Sequence, residues 1–166
     1  CFPEASGDPR LEDIFRAIKR EIPEARKAKD QFARLYDLAV DFREDEPRLH
    51  LSAAERMKSI AEEHGARAKV SSIHVNIWFG DYDKLGMTLY MMSEVFGMSE
   101  PEVEQQAMFV GDSPNDEPMF RFFPLSVGVA NIHEYEGMMS SFPGYCTQSP
   151  YGTGFAEAAA KLTDEV

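Results

Sequence analysis

From residue 83 to its end, the chain alternates helix-like and strand-like apolar segments, and the strand-like ones are continuously apolar. "DKLGMTLYMMSEVFG" carries Leu85, Leu89, Met92 and Phe96 at helical spacing, with Gly97 at its end. Ser99 and Glu102 open a short capped helix. "QAMFV" reads as a buried strand, "NDEPMFRFF" as a helix, "LSVGVAN" as a second buried strand, "GYCTQ" as a shorter one and "GTGFAEAAAKL" as a closing helix. Strands apolar on both faces, separated by helices, predict a parallel sheet covered by helices.

Ligands of open parallel sheets gather beyond the carboxyl ends of the strands. Just there, after "AMFV", stands "GDSPND", with Asp112, Ser113, Asn115 and Asp116. Oxygen donors without His or Cys suit Mg²⁺, which takes one or two carboxylates and fills its shell with water or phosphate oxygens. The same residue types also build turns and cap helices. On spacing alone both readings stand.

The first half is patterned differently. "RLEDIFRAIKREI" places Leu11, Ile14, Phe15, Ile18 and Ile22 on one helical stripe, which Pro23 ends. "RLYDLAVDF" alternates like a strand, with one slip of phase. Ser52 and Glu55 form a capping-box pair that predicts a helix to about His64, closed by Gly65. "AKVSSIHVNIWFG" alternates as one strand, with His74, Asn76 and Trp78 sharing a face. His74 is expected as a satisfied, partly buried histidine, and His50, His64 and His133 have no zinc spacing. The methionines, and Phe120, Phe122 and Phe123, are expected as packing.

With 43% hydrophobic residues among 166, the chain can build a sizeable core. A formal net charge of −12 argues against nucleic acid or an anionic membrane surface as partner. Two cysteines, Cys1 and Cys146, make no disulfide framework or metal pattern, and a cytoplasmic setting is expected. No apolar run approaches the length of a membrane span.

"VGDSPND" at the end of an apolar strand resembles the last motif of the haloacid dehalogenase superfamily. Lys84, opening the helix of "GDYDKLGMTLYMM", is placed as that superfamily's third-motif lysine; "SVGVAN" and "YCTQSPYGTGFAEAAAKL" are similar to the later segments of its sugar-phosphate-phosphatase branch. The resemblance implies a partial Rossmann-like α/β core over residues 67–166, and the remainder of an inserted α+β cap over residues 1–66. It implies a Mg²⁺-dependent phosphohydrolase acting on a small phosphorylated metabolite. Asp112 would be a metal ligand, and Asp116 a second acidic group supporting the metal or Lys84. Lys84, with Asn115 and Asn131, would face the phosphate, and Ser113 would orient Asp112 or its loop. A lysine at a helix N-terminus meets the wrong end of the dipole, which favours a functional reason for Lys84.

The superfamily's nucleophile sits in a D-x-D-x-T/V motif, and none occurs here. Asp41 in "AVDFRED" has Arg43 two positions on, and Asp81 and Asp83 fall where the Lys84 helix begins. With Cys1 as first residue, the chain is expected to be the C-terminal part of a longer one that supplies the nucleophile. A half-core would leave a sheet edge through which two copies pair. The competing reading is a catalytically inactive module with a residual cation site. An esterase built on Ser113 is excluded, because such enzymes carry a D-x-x-H near the end and residues 150–166 contain no His.

Overall fold

The computed structural model describes residues 8–163; Cys1 and the first stretch of the expected cap lie outside them. The chain divides into two compact units, one ending at Asp81 and the other beginning at Tyr82.

In the first unit, α1 (Pro9–Glu21) starts at Asp8, whose carboxylate accepts from the Arg10 amide, and buries Leu11, Ile14, Ala17 and Ile18. Strands β1 (Arg26–Lys27), β2 (Asp37–Asp41), β3 (Arg67–Val70) and β4 (His74–Trp78) form an antiparallel sheet in the order β1-β2-β4-β3. Helix α2 (Leu51–Glu63) packs on it, and Val40, Val75, Ile77, Met57 and Ile60 make the core between them.

Three expectations change here. The segment 68–79 is a hairpin instead of one strand. Ser71 Oγ accepts the His74 amide at 3.0 Å and donates to the His74 carbonyl at 2.9 Å, closing a turn across which the buried positions change phase, from Ala68 and Val70 to Val75 and Ile77. Helix α2 is capped by His50, whose Nδ1 accepts the Ser52 amide, so Ser52 lies inside the helix. The division expected after residue 66 falls after Asp81, because β3 and β4 pair into the first sheet. His74 is buried, as a satisfied histidine should be, with Nε2 at 2.8 Å from Glu44 Oε2.

The second unit has α3 (Lys84–Phe96), α4 (Glu100–Gln106), β5 (Phe109–Gly111), α5 (Glu117–Phe122), β6 (Ser126–Gly128), β7 (Tyr145–Cys146) and α6 (Tyr151–Thr163). Its sheet is parallel, in the order β5-β6-β7, so β5 is an edge strand among the described residues. A 3-10 segment over Ala130–Met138, not foreseen from the sequence, links β6 to the region before β7. Gly97 closes α3 in the left-handed conformation (φ 65°), and Ser99 and Glu102 form the expected capping box. Leu85, Leu89 and Met92 pack on Val103, Met119 and Phe123. Phe96, expected on the same stripe, is 62% exposed, while Met92 before it and Met98 after it pack on the cluster. Phe109 of β5 stacks on Phe123 at 5.9 Å and meets Phe120 edge-on at 5.6 Å, fixing α5 against the strand that carries the acidic loop.

Candidate active site

Strand β5 ends at Gly111, and the chain turns back at once through a 3-10 turn over Pro114–Asp116. The turn is so tight that the Asp116 carboxylate occupies the space beside the Gly111 backbone. A Cβ at Gly111 would stand 2.6 Å from Asp116 Oδ2, so only glycine fits there. Asp116 Oδ2 accepts the amides of Asp112 at 3.0 Å and Ser113 at 3.3 Å. Its Oδ1 accepts from Lys84 Nζ, at the first position of α3. Both oxygens of this buried carboxylate are therefore engaged, one by the loop amides and one by Lys84, an ammonium whose side chain is 44% exposed.

Asp112 is oriented from elsewhere. Its Oδ2 accepts Asn131 Nδ2 at 2.9 Å, and its other oxygen has no partner among the described residues. Ser113 Oγ donates to Asn115 Oδ1 at 2.8 Å, stiffening the loop.

Lys84, Asp112 and Asp116 line one cleft of about 490 Å³, with Phe109, Val129, Tyr151, Gly152 and Phe155 as its other walls. The cleft opens at the carboxyl end of β5, as the parallel sheet predicts. Asn115 and Asn131, expected beside the phosphate, do not line it; Asn115 Oδ1 accepts from Ser113 Oγ, and the Asn131 carboxamide is held by Asp112 and the Tyr151 amide. Asp116, expected beside metal or lysine, is engaged by the lysine and the loop amides. Tyr151 and Phe155 were not foreseen. Gly154 of "YGTGF" is their sequence signal, since it lets α6 come close to the loop before it.

A hard cation needs an open oxygen, and Asp112 offers one. Among the described residues no group of three or more His, Cys, Asp or Glu side chains gathers to hold a metal. One carboxylate oxygen, completed by water and phosphate, is within what Mg²⁺ accepts. One open oxygen on Asp112 is thus compatible with Mg²⁺, whereas both oxygens of Asp116 are taken by Lys84 and the loop amides. No helix among the described residues is long and apolar enough to cross a membrane.

The resemblance to the haloacid dehalogenase superfamily read in the motifs is accompanied by similarity to a phosphatase in sequence and to solved structures in fold. No family model matches the chain. It is 28% identical to the phosphoglycolate phosphatase of Archaeoglobus fulgidus over 148 residues, which are 89% of this chain and 63% of that protein. It superposes on the sucrose-phosphatase of Synechocystis sp. PCC6803, solved with sucrose and phosphate, with a TM-score of 0.59 and 20% identity. That match covers 92% of this chain and 62% of the other. A Thermoplasma acidophilum protein gives a TM-score of 0.60 at 16% identity, over 94% of this chain and 62% of its own. The chain therefore spans somewhat under two thirds of these proteins.

Proposed function

We propose that this chain carries the lysine and metal side of a Mg²⁺-dependent phosphohydrolase site that acts on a small phosphorylated metabolite, such as a sugar phosphate, through an aspartyl-phosphate. The observation that supports it is a single cleft wall holding Lys84, fixed by Asp116, beside Asp112 with one oxygen open. Lys84 brings a compact positive charge to where phosphoryl oxygens gather charge. Tying it to Asp116 keeps that charge in place before substrate arrives. Asp112 would hold Mg²⁺, which when bound neutralises phosphoryl oxygens from the opposite side. Phe109 and Val129 add apolar walls to the cleft, which lower the local dielectric beside both charges.

The nucleophilic aspartate is no part of the 166 residues, which contain no D-x-D-x-T/V motif, and we assign it to polypeptide outside them. The same absence favours a second reading, a non-catalytic module that keeps only a cation site. Phosphate release by the native polypeptide that contains these residues separates the two. Its panel should include 2-phosphoglycolate and sugar phosphates, with and without Mg²⁺. Mg²⁺-dependent release that Asp112→Asn reduces by about 100-fold or more supports the hydrolase. Mg²⁺ binding without release supports the module. Release indifferent to Asp112→Asn overturns the metal assignment.

A further inference from the structure

Asn131, 6% exposed, follows β6 in the 3-10 segment. An amide so deep needs a partner at each end. The backbone of Tyr151 settles which way it faces. An N–H can only donate, so the atom 2.9 Å from the Tyr151 nitrogen is the acceptor Oδ1. Nδ2 must then point the other way, and 2.9 Å from it lies Asp112 Oδ2.

Tyr151 is itself unusual. It opens α6 with φ at 54°, the left-handed region that bulky side chains avoid, and it lines the cleft. Strained residues persist where their surroundings hold them. Here Asn131 accepts the Tyr151 amide, and Glu157 accepts the amides of Gln148 at 3.0 Å and Ser149 at 3.1 Å just ahead of it. Thr147 Oγ1 also accepts the Ala130 amide at 3.1 Å, tying the turn before α6 to the residue before Asn131.

We propose that Asn131 is a positioning residue. Its carboxamide turns Asp112 so that one oxygen faces the cleft, and it couples that orientation to the backbone of Tyr151. A change at Asp112 is then transmitted to the start of α6, and the strained opening of α6 in turn holds the ligand oxygen in aim. The role towards a metal rests on the reading of Asp112 given above; the bridge itself does not. A helix cap alone would need only the Oδ1 contact and would leave Asp112 and Tyr151 independent.

The test is amide NMR of the full chain, with Mg²⁺ alone as probe, on wild type, Asn131→Ala and Asp112→Ala. In wild type Mg²⁺ should shift the Tyr151 amide resonance. In Asn131→Ala that response should vanish and Mg²⁺ affinity should fall about tenfold. A Tyr151 response unchanged in Asn131→Ala overturns the coupling. If Mg²⁺ perturbs nothing, Asp112 included, the metal reading fails, and the bridge is judged without metal. A Tyr151 amide displaced in Asp112→Ala supports it, and an unmoved one overturns it. The same comparison decides if Asn131→Ala does not fold.

Discussion

Lys84 Nζ donates to Asp116 Oδ1 across 32 positions of chain, while Asp116 Oδ2 accepts the amides of Asp112 and Ser113. One buried carboxylate thus fastens the first residue of α3 to the loop after β5. Removing it orphans two amides and an ammonium together. Asp116→Ala should cost about 2–4 kcal/mol in urea unfolding. Asp116→Asn keeps one acceptor for the amides, and Lys84 can turn to water, so about 1–2 kcal/mol is expected. Equal losses would mean that the lysine contact, and not the amide cradle, dominates.

The two glycines of α6 should respond in opposite senses. A Cβ on Gly154 would stand 2.1 Å from the Ser149 carbonyl oxygen and 2.6 Å from Thr147 Oγ1, whereas Gly152 has nothing within 4 Å. Gly154→Ala should destabilise by about 3 kcal/mol, because backbone cannot step aside as a flexible side chain does. Gly152→Ala should be neutral or stabilise by up to about 1 kcal/mol. Paired thermal melts check both.

Tyr151 spends conformational energy at φ 54° while its side chain is 63% exposed. Asn tolerates that region far better. Tyr151→Asn should therefore raise stability by about 0.5–1 kcal/mol, a few degrees in Tm for a unit of this size. A fall in Tm would show that the ring contributes more than its exposure implies.

Glu157 gives the acid limb its sign. Hydrogen bonds from the Gln148 and Ser149 amides hold its carboxyl below the ordinary glutamate value of 4.5. The folded state therefore sheds this proton more readily than the unfolded chain. Its contribution is complete above about pH 4.5 and is lost as pH falls through the lower, folded value. Glu157→Gln should lower Tm near neutrality, and the gap from wild type should close as the pH drops below 4.5. A gap that stays constant with pH would mean that the amide contacts do not depend on the charge.

The parts of this molecule that were legible in the sequence are those written by local chemistry. Helix α3 announces itself through its stripe and Gly97, α4 through Ser99 and Glu102, and the acidic loop through four polar residues at a strand end. The hairpin at Ser71 was not, because the change of phase from Ala68 and Val70 to Val75 and Ile77 is a single step, made by a turn that one hydroxyl closes. Nor was the engagement of Asn131, which depends on Asp112 and Tyr151 lying 19 and 20 positions away and meeting only when the sheet forms. Tyr151 and Phe155 read as ordinary helix residues until α6 is set beside the cleft.

Strand β5 lies at the sheet margin, and this makes the direction of any neighbour decisive. A strand laid alongside it would run about 4.8 Å away. In parallel orientation its carboxyl end would draw level with Gly111, where the Asp112 loop begins. In antiparallel orientation the newcomer presents its beginning there, and its end is carried to the far side of the sheet. Among the described residues, then, only a strand parallel to β5 would end on the cleft side of this margin.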